Sequence, residues 1–156
     1  LLPRAGFFIS GEDIAMKMRP FLAATLLCAA LPLSANEEPS LLQRGETLLN
    51  EGKLPEALEI LQQAVVADPN SSRAFQRLGG AQLMSQNYAG SILSFQRAIR
   101  LDANNAEAFI GMGMAYLHSG RYGLARSALE EAKRIDPTKQ PKIDEIITWL
   151  DQRVAH

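Results

Sequence analysis

Residues 109–137 read FIGMGMAYLHSGRYGLARSALEEAKRIDP. Apolar side chains recur there at spacings of three and four, the signature of helices that bury one face. The pattern breaks at His118-Ser119-Gly120, resumes from Tyr122, and closes on Asp136-Pro137, so the stretch predicts two helices joined by a tight turn.

Shifted back by 34 residues, the same pattern reappears twice. Pro69, Ala103 and Pro137 share one column, as do Asp68, Asp102 and Asp136, and Ala64, Ala98 and Ala132. Gly45, Gly79 and Gly113 keep the period, as do Leu61, Phe95 and Leu129, and the opening residues Leu41, Phe75 and Phe109. Each second helix carries a small–large–small face at i, i+4 and i+7: Ala57-Leu61-Ala64, Ser91-Phe95-Ala98 and Ala125-Leu129-Ala132. A small residue at a helix crossing lets two backbones approach, and the large one fills the space toward the next copy. The breakers are Asn50-Glu51-Gly52-Lys53, Ser85-Gln86-Asn87 and His118-Ser119-Gly120; Ser71-Ser72 and Asn104-Asn105 are placed to cap the helices that follow.

A 34-residue period with a bulky residue, Leu-Gly, a later Ala, an aromatic and a closing Pro resembles the tetratricopeptide repeat (TPR) family. The third copy fits best, through Phe109, Met112-Gly113, Tyr116, Gly120, Tyr122, Ala125, Leu129, Ala132 and Pro137. The first copy departs at Arg44, where the family has Leu. The second departs at Gln82, Ser91 and Ala103, in place of Tyr, Ala and Pro. The resemblance implies an all-α fold, a right-handed α-solenoid of three helix-turn-helix repeats over 38–139 (38–71, 72–105 and 106–139). A C-terminal capping helix over 140–156 is expected to follow. There Ile143, Ile146, Ile147, Leu150 and Val154 form one face, expected to pack near Ala125, Leu129 and Ala132.

The N-terminal part reads differently. Residues 16–35 combine the basic Lys17 and Arg19, an apolar run from Phe21 to Leu31, and a small residue at Ala35, which are the three parts of a cleavable signal peptide. The alternative is an uncleaved membrane anchor, for which the run is short. Cys28 follows Leu26-Leu27 rather than a small residue, unlike a lipidation site. Residues 1–15 read as an over-extended gene start. The expectation is therefore a periplasmic protein beginning near Asn36, cysteine-free, with 13 basic and 15 acidic side chains.

Composition narrows the function. In the whole chain 16 Lys and Arg face 17 Asp and Glu, so there is no basic excess for nucleic acid. Beyond residue 35 there is no cysteine, the histidines are His118 and His156, and no acidic cluster has metal-ligand spacing; neither metal nor cofactor is expected. Gly79-Gly80 and Gly111-Met112-Gly113 lie inside helical patterns, not after a strand, so they are not phosphate loops. Trp149 reads as an edge packing residue that would become a recognition residue only if exposed.

In the family the first helix of each repeat lines the concave face. Carried onto this chain, that implies partner-binding residues Leu42, Leu49, Arg73, Gln76, Leu83, Met84, Ile110, Met114, Leu117 and His118, with Gly80 and Gly111 opening space between them. The alternative for the apolar members is that they meet one another or the last helix. Repeats that clamp an acidic chaperone C-terminus place Lys, Asn and Arg in the groove; here Leu42, Glu46, Arg77, Glu107 and Gly111 stand there, so that clamp is largely absent. The functional expectation is a non-catalytic interaction adaptor for a peptide or helix of an envelope protein. A self-assembling, homo-oligomeric TPR unit is the alternative.

Overall fold

Ser40 caps the first described helix: its hydroxyl accepts from the Gln43 N–H, and the Gln43 side chain accepts from the Ser40 N–H at 2.8 Å. The computed structural model describes residues 39–154; the segments 1–15 and 16–35 lie outside them. The helices are α1 (Leu41–Asn50), α2 (Leu54–Ala67), α3 (Ser72–Met84), α4 (Tyr88–Leu101), α5 (Ala106–His118), α6 (Tyr122–Ile135) and α7 (Gln140–Val154), with a 3-10 turn over Pro137–Lys139. There is no strand among the described residues.

Each hairpin turns in the same way. The second residue past the helix adopts a left-handed backbone, and the next N–H reaches back five residues: Lys53 to Leu48 at 2.9 Å, Asn87 to Gln82 at 2.9 Å, Arg121 to Tyr116 at 2.8 Å. Gly52 and Gly120 take that position with φ 74°, and Gln86 takes it with φ 64°. Between repeats the aspartate column does the work. Asp68, Asp102 and Asp136 each accept, through Oδ1, the N–H two residues on. Ser71 and Asn105 cap the following helices as expected, while Ser72 donates its hydroxyl to the Ala98 carbonyl instead.

Close approach within each hairpin rests on a glycine facing a large side chain. A Cβ on Gly45 would lie 2.6 Å from Leu61, on Gly79 3.0 Å from Phe95, and on Gly113 2.9 Å from Leu129. The departures in the second copy are compensated locally. Buried Ser91 donates to the Gly79 carbonyl at 2.8 Å, and Ser94 donates to Gln82 Oε1 at 2.6 Å, so both polar groups are satisfied.

Between hairpins, α3 packs on α2 and α5 on α4. Successive first helices α1, α3 and α5 also touch one another, whereas successive second helices do not. The first helices therefore lie on the inside of the curve. Leu78 and Ala81 of α3 meet Leu61, and Ala108 and Met112 of α5 meet Phe95 and Ala98. One period earlier than Ala74, Leu78 and Ala81 stand Ser40, Arg44 and Thr47, all exposed. The Arg44 departure is thus part of a polar N-terminal end.

Candidate functional site

Helix α7 continues the 34-residue register. Lys142, Ile146 and Trp149 stand one period after Ala108, Met112 and Ala115, the residues by which α5 approaches its predecessor. Ala108 and Ala115 are fully buried; Trp149 is 43% exposed. A lysine and a tryptophan stand in place of two alanines, side chains too large for the close approach that α5 makes to α3. The α7 backbone leans on α6, and Ile143, Ile147 and Leu150 are buried in a core that holds Ala125, Leu129 and Ala132 of α6 and also Ala115 and Tyr116 of α5. Its backbone makes no close approach to α5, unlike α5 to α3.

The gap is a slot of two hollows. One, of 310 Å³, is lined by Met114, Leu117, His118, Glu145, Ile146 and Trp149. The other, of 280 Å³, is lined by Glu107, Ile110, Met114, Lys139, Lys142, Ile143 and Ile146. Met114 and Ile146 form the ridge between them. The Arg153 guanidinium lies 5.1 Å from the centre of the Trp149 ring, and His118 stacks on Tyr88 with ring centres 5.5 Å apart. Lys133 holds Asp144 at 3.0 Å, Arg126 pairs with Asp151, and Lys139 pairs with Glu107. Lys142 and Glu145 have no ion pair among the described residues.

Toward the N-terminal end the groove is polar and internally matched. Glu46 receives Arg73 at 2.9 and 3.0 Å and Arg77 at 2.8 Å. Partial burial pushes the Glu46 carboxyl up, but hydrogen bonds from Arg77 and Arg73 outweigh it, so its pKa lies below the ordinary 4.5. Gln76 Oε1 accepts from Asn105 Nδ2 at 3.0 Å. A polar hollow of 660 Å³ lies beside these groups, bordered by Ser72, Asp102, Glu107 and Asp136. Among the described residues no three His, Cys, Asp or Glu side chains are placed to hold a metal ion. Among them, too, no helix is long and apolar enough to cross a membrane.

A family profile described as tetratricopeptide repeat matches residues 42–106 and 86–139, more than half of the chain. The chain belongs to the tetratricopeptide repeat family. MamA is similar at 30% identity, over 74% of this chain and 67% of that one, with a TM-score of 0.71. The first TPR of Spaghetti (RPAP3), bound to the HSP90 peptide SRMEEVD, shares the fold at 18% identity, over 74% and 91% of the two chains, TM-score 0.71. So does the Yersinia enterocolitica type III secretion translocator chaperone SycD, at 19% identity over 74% and 92%, TM-score 0.69. No curated protein matches significantly.

Within this TPR frame the expected groove residues divide. Leu42 and Leu49 are half-buried against Leu61, Leu78 and Ala81. Leu83, Ile110 and Leu117 pack partly against the C-terminal core, and Leu117 and Ile110 also reach the slot with Met114 and His118. Met84 is 60% exposed. Arg73 and Gln76 are engaged by Glu46 and Asn105.

One expectation is corrected and one is refined. Gly80 is open, but Gly111 opens nothing: a Cβ there would meet Phe95 Cζ at 2.2 Å, so the ring already fills the space. Ile146, expected on the buried face of α7, is only half-buried there: it packs partly against the C-terminal core and also lines the slot with Trp149. Extending the repeat register one period past Ala115 would have found Trp149.

Proposed function

We propose that this TPR protein is a non-catalytic adaptor that holds a segment of another protein on its concave face, with the α5–α7 slot as the main contact. The observation that supports this is the slot itself, an apolar recess kept open by bulky residues where the repeat uses alanine. Burying such a recess against partner side chains releases water from apolar surface, a driving force independent of any specific charge. Clamping of a terminal carboxylate fits poorly, because Arg73 and Arg77 are already bound to Glu46. The Spaghetti TPR holds a peptide; this chain shares that fold with a different groove chemistry.

The same proposal puts the protein in the periplasm, on the signal-like sequence of residues 16–35, with an envelope protein as partner. The self-assembling alternative has less support. Stacking end to end through the first repeat would press Ser40, Arg44 and Thr47 against another copy, and these are polar and exposed.

Photo-crosslinking in cells tests the adaptor reading. A photoreactive residue replacing Met84 or Met114 should yield a discrete partner adduct. The same residue replacing Val66, 77% exposed on the outer helix α2, should not. Equal adducts from both faces, or none from the groove, would overturn it.

A further inference from the structure

We propose that the α5–α7 slot takes an amphipathic helix of the partner, with apolar anchors flanked by one basic and one acidic residue that face Glu145 and Lys142. This deepens the adaptor reading and rests on it.

The choice of a helix follows from the walls. An extended peptide brings unpaired backbone N–H and C=O groups that need partners. The hollow around Met114, Leu117, Ile146 and Trp149 offers almost none, since its polar side chains are confined to His118 and Glu145 at the rim. A helix satisfies its own backbone and presents only side chains.

Spacing agrees with that choice. Ile143 lines one hollow and Trp149 the other, six residues apart on α7. At 1.5 Å of rise per residue this is about 9 Å. Side chains at i, i+4 and i+7 of a bound helix span about 6 to 10 Å on one face, enough to seat an anchor on each side of the Met114–Ile146 ridge.

Charge adds the polarity. Lys139 is neutralised by Glu107, which leaves Lys142 as the net charge beside one hollow. Glu145 is the carboxylate that lines the other; Arg153 lies against the Trp149 ring but does not line that hollow. A helix carrying Lys or Arg next to one anchor and Asp or Glu next to the other meets both with opposite sign, and a helix of uniform charge meets one of them with like sign.

Trp149 is the single tryptophan of the chain, so its fluorescence reports occupancy of the slot. The full chain is titrated with designed helical peptides bearing Leu at i, i+4 and i+7 and flanked by Lys and Glu, by Lys alone, or by Glu alone. The mixed peptide should shift the Trp149 emission and bind at least about fivefold tighter than either uniform one. Glu145→Lys should transfer the preference to the all-Glu peptide, and Lys142→Glu to the all-Lys peptide. Equal binding of all three, no binding, or tighter binding of an extended peptide with Leu at i and i+2 overturns the inference. If no helix binds while the Met114 cross-link persists, the adaptor reading stands and the helix falls; if the cross-link is lost as well, both fall.

Discussion

Gly111 lies against the tip of Phe95, where a Cβ would stand 2.2 Å from Cζ and 2.5 Å from Cε1. Gly79 meets the Cγ–Cδ1–Cε1 edge of the same ring, so the ring touches glycines of successive repeats. Phe95 stands in a column with Leu61 and Leu129, and Gly111 in a column with Arg77 and Glu145. The larger ring and the missing side chain are a matched pair. Gly111→Ala should therefore destabilise by about 1 to 3 kcal/mol, despite a helix-propensity gain of up to about 1 kcal/mol. Gly80→Ala, with nothing within 4 Å, should stabilise by about 0.5 to 1 kcal/mol. In urea unfolding, Phe95→Leu combined with Gly111→Ala should cost less than the two changes summed. A Gly111→Ala protein as stable as Gly80→Ala would refute the pairing.

Gln86 is the second test of the repeat logic. It holds φ 64° at the position Gly52 and Gly120 occupy, and a Cβ in that region costs roughly 1 to 2 kcal/mol. Glycine removes the clash but loosens the unfolded chain, so Gln86→Gly should gain a net of about 0.5 to 1 kcal/mol. Gly120→Gln should lose a similar amount. The denaturant midpoints of the pair should move in opposite directions.

The repeat columns carried most of the architecture: Gly45, Gly79 and Gly113 against Leu61, Phe95 and Leu129 reported the helix crossings because the same contact is made three times. The site was harder to read. Leu117 and Met114 face the slot only because α7 stands off from α5, and that standoff depends on Trp149 replacing an alanine. A helical pattern places Trp149 beside the Ile143-Ile147-Leu150 stripe but does not fix which neighbour it meets. Gly111 misled for the converse reason, since a helical glycine reads as open space until the ring of a preceding helix is put beside it.

Glu46 gives the pH dependence. Its folded pKa is depressed, so the stability it supplies is present above the unfolded value near 4.5 and is lost as pH falls through the lower folded value. Its arginine partners are partly exposed, at 62% for Arg73 and 43% for Arg77, so solvent and salt screen the contribution to about 1 kcal/mol or less. Glu46→Gln should then lower stability at pH 7 and match wild type once the pH has fallen below the depressed folded value, where the carboxyl is protonated in both the folded and the unfolded chain. A gap that persists unchanged as the pH falls through that range would mean that packing, not charge, is what the substitution removes.

Helix α7 has two faces, and adjacent residues separate them. Leu150 is 2% exposed and shares the core with Leu129 and Ile143, whereas Trp149 is 43% exposed on the slot. Leu150→Ala should cost about 2 to 5 kcal/mol, the range for a buried leucine that leaves a cavity. Trp149→Ala removes a larger side chain but less buried contact, and it restores the alanine of the repeat column, so it should cost less than Leu150→Ala. Ending the chain at Lys139 should do more than either. It uncovers Ala125, Leu129 and Ala132 and removes Ile143, Ile147 and Leu150, each worth about 1.5 to 3 kcal/mol when fully buried. Against a typical total of roughly 5 to 15 kcal/mol, the shortened protein should melt much earlier or aggregate. Should Trp149→Ala prove as costly as Leu150→Ala, the tryptophan is part of the cap and the slot loses its claim to be kept open for a partner.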